Sequence, residues 1–307
     1  MTNWTGEGMT DRIEGYREEL TAIRRDLHKH PELAFEEART SDVVAERLQS
    51  WGIEIHRGLA KTGVVGTLKA GTANKAIALR ADMDALPIKE ANGFDYRSVH
   101  DNKMHACGHD GHTTMLLGAA KYLSETREFD GIVHFIFQPA EEGHGGAKVM
   151  IDDGLFDKFP VTAIYGMHNW PPLPAGKFGM RAGPMLAAFD DFEITITGKG
   201  THAAMPHTGI DPIAAASQIV TALQTIVARN TDPLDSAVVS VTMFHAGSAN
   251  NIIPDSVTLG GCTRTLVAAT QKSIEERMER IVAGICDAHG ATYSFRYTYG
   301  YPATVNS

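Results

Sequence analysis

A dense group of potential metal-binding side chains lies in the segment 104–112, which reads MHACGHDGH. Cys107 and His109 stand two positions apart there, directly before an apolar pattern typical of a helix. Thiolate, imidazole and carboxylate groups are the ligands that zinc and similar divalent ions take in proteins. Because a helix N-terminus lowers the pKa of a nearby thiol, we expect Cys107 to ligate as a thiolate. The segment therefore predicts a metal site.

Two plainer interpretations of this cluster stay open. The cysteine can be a structural residue whose histidine and aspartate neighbours cap the helix, because a lone cysteine most often fills a core. Alternatively, Cys107 and a histidine can form a nucleophile pair. The nucleophile pair does not account for the polar residues that follow three predicted strands elsewhere in the chain.

Acids and a histidine follow three apolar runs that are predicted to be strands. These runs and the residues after them are 76–80 with Asp82 and Asp84, 131–137 with Glu141 and Glu142, and 161–167 with His168. In open α/β sheets, ligands bind just beyond the carboxyl ends of the parallel strands. We therefore expect these side chains to meet at one edge of a sheet.

The adjacent carboxylates Glu141 and Glu142 follow Pro139 and precede a glycine-rich turn. Neighbouring residues in an extended strand point in opposite directions, but in a turn both can reach one cavity. One carboxylate would then bind metal, while the other takes a proton from a metal-bound water. The plainer interpretation is a solvated acidic loop. The tight backbone that the glycines indicate favours the functional one.

The elements around these residues indicate an α/β domain. Helical patterns cover 10–30, 37–51 and 109–124, and Gly52 is placed to end the second of them. These patterns alternate with β-branched runs such as 63–68, an order typical of α/β proteins. The predicted fold class is α/β with a mostly parallel sheet.

A second domain is predicted after the proline-rich segment 170–175. The pattern there reads strand, helix, strand, strand, helix, strand, which is the order of a ferredoxin-like (βαββαβ) α+β domain. Asp211 and Pro212 are predicted to open its first helix as N-cap and first helical residue. The capping-box pair Ser273 and Glu276 is predicted to open its second helix.

The composition argues against several classes of partner and location. With 28 Lys and Arg against 37 Asp and Glu, the net charge is −9, which disfavours nucleic-acid binding. The chain has no apolar run of roughly 18 residues, so no membrane span is predicted. Three cysteines are too few for a disulfide framework, and residues 1–15 lack the regions of a signal peptide. A cytoplasmic location is therefore predicted.

Several segments, spread over nearly the whole chain, share a pattern with a known family. They are HKHPELAFEE (28–37), LRADMDALPI (79–88), MHACGHDGHTTMLLGAA (104–120), FQPAEEGHGGAKVMIDDGLF (137–156), GMHNWPPLPAG (166–176), GKGTHAAMPHTGIDPI (198–213), GSANNIIPDSVTLGGCTRT (247–265) and YGYPATVN (299–306). The chain resembles the M20 metallopeptidases, and among them the hippurate hydrolases and N-acyl-L-amino-acid amidohydrolases.

The resemblance implies a dinuclear metal site in the α/β domain. Cys107 would bridge two divalent ions, and His109, Glu142 and His168 would be further ligands. Zn, Mn, Co and Ni all accept this ligand set. The family also has a closing segment with another metal-binding histidine. No candidate for it follows the second domain, so we expect the catalytic domain to lack that segment.

The resemblance also implies catalytic and substrate-binding residues. Glu141 would be the general base, and Asp84 would orient a metal ligand. His202 would reach across a dimer to stabilise the oxyanion, although a strand-end role is its plainer interpretation. Asn251 and Arg264 would hold the substrate carboxylate.

The implied reaction is hydrolysis of the amide bond of a small N-acyl-L-amino acid, which releases a carboxylic acid and an amino acid. Residues 1–187 and 300–307 would form the catalytic domain, and 188–299 an inserted lid through which two chains form a homodimer. The alternative hypothesis is a catalytically inactive dimerising or ligand-binding remnant of such an enzyme.

Overall fold

The structure, a computed structural model, describes residues 8–307 as two compact units. The first unit ends at Pro174, and the second runs from Ala175 to Ser307. Residues 1–7, which begin the segment where no signal peptide was predicted, lie outside the described residues. Within 8–307, no helix combines the length and apolar character that crossing a bilayer requires.

In the described part of the first unit, residues 8–174, there are six helices and five strands. The helices are α1 (Met9–Glu14), α2 (Arg17–Lys29), α3 (Ala38–Ser50), α4 (His109–Thr126), α5 (Gly146–Asp152) and α6 (Leu155–Lys158). The strands are β1 (Glu54–Leu59), β2 (Gly63–Ala70), β3 (Ala76–Asp82), β4 (Gly131–Gln138) and β5 (Ala163–Gly166). The helix predicted over 10–30 is divided into α1 and α2 at Gly15 and Tyr16, whereas Gly52 follows α3 in the left-handed conformation, as expected.

The five strands form one sheet in the order β1-β2-β4-β3-β5. β3 is parallel to both β4 and β5, and the pairs β1–β2 and β2–β4 are antiparallel. The predicted α/β fold class is confirmed, but the sheet is mixed rather than mostly parallel, because only two of its four strand pairs are parallel. Parallel pairing is confined to the three strands whose carboxyl ends carry the acids and His168.

Central strand β4 is buried because helices cover both faces of the sheet. Phe135 and Phe137 pack into a cluster with residues of α2, α3 and α4. Ile136 points to the opposite face, against Met150 of α5 and Leu155 of α6. A strand covered on both faces reads as a continuous apolar run, which explains the segment GIVHFIF. This packing fixes the strand end that leads to Glu141.

The second unit contains the predicted βαββαβ succession with short additions. Its elements are β6 (Gly183–Leu186), β7 (Ala188–Thr197), β8 (Thr201–His202), α7 (Pro212–Asn230), β9 (Ala237–Ala246), β10 (Ile252–Ile253), β11 (Ser256–Thr265), α8 (Ala268–His289), β12 (Thr292–Tyr299) and β13 (Thr304–Asn306). The main sheet is antiparallel in the order β12-β7-β11-β9, and two small sheets pair β8 with β10 and β6 with β13.

Both long helices of this unit pack on one face of its main sheet, where Ile194 and Leu259 meet Ile219 and Met278. The side chain of Asp211 accepts hydrogen bonds from the first turn of α7, so the predicted start of this helix is confirmed. The predicted start of α8 at Ser273 is wrong. α8 begins five residues earlier, and the Ser273 hydroxyl instead accepts a hydrogen bond from Arg277 within the helix.

Candidate metal centre

The carboxyl ends of three strands and the N-terminus of one helix meet at one edge of the first sheet. The predicted site residues at these ends are Asp84 after β3, Glu141 and Glu142 after β4, His168 after β5, and Cys107 and His109 at the start of α4. Because β3, β4 and β5 are parallel neighbours, their carboxyl ends lie side by side. The register of the sheet thus brings together residues that are far apart in sequence.

His109 lies at the centre of this group. Its Nε2 atom is 3.9 Å from Glu142 Oε1 and 4.0 Å from Glu141 Oε2. The Sγ atom of Cys107 lies 3.4 Å from Nε2 of His168. The candidate ligand atoms of Cys107, His109 and His168 lie within 4.8 Å of one another, and so do those of His109, Glu141 and Glu142. The structure therefore brings all four predicted metal ligands and the predicted base to one place.

Asp84 orients both His109 and the loop that carries the glutamates. Its Oδ1 atom lies 3.1 Å from His109 Nδ1, and its Oδ2 accepts the backbone N–H of Glu142 at 2.9 Å. A carboxylate behind the far nitrogen of a histidine fixes the ring and leaves the other nitrogen free to bind a metal. The family resemblance implies such a role for Asp84, which stays a prediction.

Two buried atoms at the centre have no hydrogen-bond partner among the described residues, namely Nε2 of His109 and Oε1 of Glu142. An unpaired buried polar atom costs about 1–3 kcal/mol. A divalent cation would satisfy both atoms, together with the sulfur of Cys107 and Nε2 of His168. The residues present therefore fit a divalent metal.

The charge around His109 also favours a cation. Burial works to lower the pKa of His109, but the hydrogen bond with Asp84 and the charges of Asp82 and Asp84 outweigh it and raise the pKa to about 11. The same negative surroundings that stabilise a proton on His109 attract a metal ion.

The expectation that the helix N-terminus lowers the pKa of the Cys107 thiol is wrong for the protein without metal. The neighbouring imidazole of His109 works to lower this pKa, but burial and the charge of Glu142 raise it above its ordinary value. Metal coordination, rather than the helix end, would therefore make Cys107 a thiolate.

A second hydrogen-bonded group adjoins the centre and was not assigned from the sequence. His112 Nδ1 lies 2.6 Å from Asp82 Oδ1, and its Nε2 accepts the backbone N–H of Asn169 at 2.9 Å. Both nitrogens of His112 therefore have hydrogen-bond partners, although Asp82, His109 and His112 also form a group whose candidate ligand atoms lie within 4.8 Å of one another. The helical spacing of three between His109 and His112 was the signal that both face the same site.

Asn169 connects the two chain segments that supply the pair Cys107 and His168. Its side chain contacts His112, and it packs so closely on Gly108 that a Cβ atom there would lie 2.7 Å from the amide nitrogen. Gly108 also has a φ of +90°, which favours glycine. Asn169 thereby holds the turn after β5 against the start of α4.

In the second unit, His202 and Asn251 lie next to each other. β8 pairs with β10 so that His202 is opposite Ile252, and the carbonyl of Asn251 accepts the N–H of Ala203 at 2.9 Å. Both side chains are exposed. Nδ1 of His202 accepts the N–H of Ala204, which leaves Nε2 free.

Arg264 lies at the other end of this unit. Arg264 is eight residues further along β11 than Ser256, which stands at the end of the strand nearest to β10. At about 3.3 Å per residue, Arg264 lies roughly 26 Å from that end. Its guanidinium carbon lies 4.2 Å from the ring centroid of Phe189. The structure therefore brings His202 and Asn251 together but not Arg264.

Known proteins resemble this chain over most of its length. The sequence profile of Peptidase family M20/M25/M40 matches residues 78–307. Over 289 residues the chain is 47% identical to a hippurate hydrolase from Campylobacter jejuni, covering 94% of this chain and 75% of that protein. It is also 47% identical over 305 residues to an N-acyl-L-amino acid amidohydrolase from Geobacillus stearothermophilus, covering 98% of this chain and 82% of the relative.

A solved structure has the same fold. The Bacillus subtilis YXEP protein, a dinuclear metal binding peptidase from the M20 family, superposes with a TM-score of 0.81 and 40% sequence identity. The match covers 96% of this chain and 77% of the YXEP chain.

Replacing Cys107 with serine is expected to weaken metal binding. Metal affinity should fall by at least about tenfold, since even residues behind a ligand contribute about 10- to 100-fold. Elemental analysis after dialysis against a competing chelator measures the bound metal. Cys262→Ser is the matched control, because this second free cysteine belongs to the other unit. Equal metal retention in both variants would contradict the assignment.

Proposed function

The chain belongs to Peptidase family M20/M25/M40, and we propose that it hydrolyses the amide bond of N-acyl-L-amino acids to a carboxylic acid and an amino acid. It is a metal-dependent amidohydrolase, as the kinds of enzyme among its relatives indicate. The observation that carries the proposal is the unpartnered Nε2 of His109, with Cys107, Glu142 and a second glutamate around it.

Two divalent ions are proposed at this centre, each of them Zn, Mn, Co or Ni. Three groups of candidate ligands share His109: one with Cys107 and His168, one with the two glutamates, and one with Asp82 and His112, whose ring nitrogens already have hydrogen-bond partners. In this proposal Cys107, His109, Glu142 and His168 would hold the ions. When bound, such ions polarise the scissile carbonyl and lower the pKa of the attacking water.

Glu141 is the proposed general base. Its side chain is 42% exposed, whereas that of its neighbour Glu142 is 25% exposed, so Glu141 is the more accessible to water and substrate. Glu141 takes a proton from the attacking water as the water oxygen bonds to the acyl carbon. It then delivers that proton to the nitrogen as the carbon–nitrogen bond breaks. Asp84 keeps the loop in place through the N–H of Glu142.

Substrate binding is proposed to involve two chains. Arg264 would bind the substrate carboxylate with its planar fork, while His202 would stabilise the oxyanion beside Asn251. Within one chain these residues are separated along β11 by more than a small N-acyl amino acid spans. A homodimer that combines Arg264 of one protomer with His202 and Asn251 of its partner resolves this separation.

The second unit offers a surface for such a dimer. β9 is an edge strand of the four-stranded sheet, and it exposes Val238, Met243 and Phe244. An exposed apolar edge strand is a template for pairing with another chain. We therefore place the dimer interface in the lid.

The proposed catalytic domain comprises 1–187 and 300–307, and the proposed lid comprises 188–299. The antiparallel pairing of β6 with β13 supports this division. It brings together the two points at which the chain would enter and leave the lid, as an inserted domain requires. All three cysteines are free, which supports a reducing cytoplasmic location.

Replacing Glu141 with glutamine is expected to remove most turnover and to keep the metal. The amide cannot take a proton, and general acid–base catalysis contributes about 10²- to 10⁴-fold. Steady-state kinetics on a panel of N-acyl amino acids with benzoyl, acetyl and indole-acetyl groups, after loading with each metal, measures the loss. Metal content is determined on the same samples.

Glu128→Gln is the control for this variant, since Glu128 is exposed and lies outside the centre. Parental turnover in Glu141→Gln would refute the base assignment. A parental chain that binds metal but hydrolyses none of the panel would favour the alternative of an inactive remnant.

Co-expression of His202→Ala with Arg264→Ala tests the shared site. Each variant alone is expected to be nearly inactive, but every heterodimer carries one intact site out of two, so heterodimers should regain about half of parental activity. The measurement is turnover of purified dimers that carry two different affinity tags. If both residues served the site of their own chain, mixing would restore nothing.

A further inference from the structure

The segment HKHPELAFEE contains a fully buried carboxylate to which the metal centre gives no role. Glu37 is 0% exposed. Its Oε1 atom accepts the backbone N–H of Ala140 at 2.8 Å, and its Oε2 accepts the hydroxyl of Thr62 at 2.7 Å. Ala140 is 103 residues away in sequence and directly precedes Glu141. The carboxylate therefore connects the start of α3 to the loop that carries the proposed base.

A plainer role for Glu37 would be to cap α3, which it directly precedes. The structure gives that role to a different residue. The side chain of Glu32 accepts the N–H groups of Arg39 and Thr40 at 3.0 and 2.8 Å, whereas the side chain of Glu37 makes no capping hydrogen bond to α3. The carboxylate of Glu37 is thereby directed away from its own helix and towards the catalytic loop.

The residue that Glu37 holds has an unfavourable backbone conformation. Ala140 has a φ of +54°, in the left-handed region that residues other than glycine rarely adopt. Its carbonyl accepts the N–H of Gly146, where a Cβ atom would lie only 1.7 Å from the carbonyl oxygen of Pro139. Such a conformation persists only where the surroundings impose it. The bond to Glu37 is one of the contacts that impose it.

Two buried carboxylates thus hold the loop on either side of the base. Glu37 accepts the N–H of Ala140, and Asp84 accepts the N–H of Glu142. Glu141 lies between these two anchored residues. Asp84 also contacts His109, so it belongs to the metal centre, whereas the bonds of Glu37 go to the loop and to Thr62.

We propose that Glu37 is a positioning residue, which fixes the left-handed turn at Ala140 and so aims the carboxylate of Glu141 at the attacking water. This inference rests on the proposed function, because it assumes that Glu141 is the base. The contact itself is independent of that function. Loss of the contact should therefore change turnover much more than substrate binding or metal content.

Four variants test the proposal. For each variant, amide hydrogen exchange at Ala140 is measured without metal, and kcat and KM are measured after metal loading. Glu37→Gln keeps an acceptor for Ala140 and should retain slow exchange and near-parental kcat. Glu37→Leu keeps the approximate size without an acceptor. It should exchange faster at Ala140 and lose at least about tenfold in kcat with little change in KM, because small misplacements of a catalytic group are costly.

Thr62→Val is the matched control, since it removes the other hydrogen bond of Glu37 and leaves the bond to Ala140. Thr62→Val should lower thermal stability modestly, because it removes one hydrogen bond. Its kcat should stay within about twofold of the parental value. An equal loss of kcat in Thr62→Val and Glu37→Leu would overturn the proposal. Slow exchange at Ala140 or parental kcat in Glu37→Leu would also overturn it.

Glu37→Asp serves if Glu37→Leu does not fold, because it keeps the charge but is shorter by one carbon–carbon bond, about 1.5 Å. Faster exchange at Ala140 with reduced kcat supports the proposal, and unchanged values of both refute it. If the parental chain hydrolyses no N-acyl amino acid, the proposed function fails, and the exchange measurement alone decides whether Glu37 fixes Ala140.

Discussion

The carboxylate of Asp84 is the interaction on which the metal centre depends. One oxygen contacts Nδ1 of His109, and the other accepts the N–H of Glu142, so a single buried group sets the direction of two candidate ligands. Burial works to raise the pKa of Asp84, but the hydrogen bonds from His109 and the loop outweigh it and keep this pKa below its ordinary value. The group therefore stays ionised, and Nε2 of His109 stays free for a cation.

The residues around Asp84 show how a sheet edge gathers the groups of a candidate catalytic site. β3, β4 and β5 each contribute only one or two polar residues, and none of these groups would be distinctive alone. Parallel pairing sets the three strand ends side by side, and Asn169 and Glu37 then hold the adjoining loops by contacts of their own. The precision of the site comes from buried hydrogen bonds between segments that are remote in sequence.

The sequence was sufficient to predict most of the elements and the segments that meet at the candidate site, because apolar periodicity marks strands and the CGHDGH segment is a distinctive motif. It was not sufficient for contacts between remote segments, such as His112 with Asn169 or Glu37 with Ala140, because these depend on how the elements pack. The pKa of Cys107 was predicted in the wrong direction for the same reason. The helix end is visible in the sequence, whereas the nearby charge of Glu142 is a tertiary feature.

X-ray absorption spectroscopy of the zinc-loaded protein decides whether the metal binds beside Cys107, because it reports which atoms surround the ion. A metal held by the proposed ligands should give a sulfur shell at about 2.3 Å together with nitrogen and oxygen ligands at about 2.0–2.2 Å. If the thiolate bridges two ions, a metal–metal distance of roughly 3.5–4 Å is expected as well. A spectrum fitted by nitrogen and oxygen alone would place the metal away from Cys107 and would rule out the proposed ligand set.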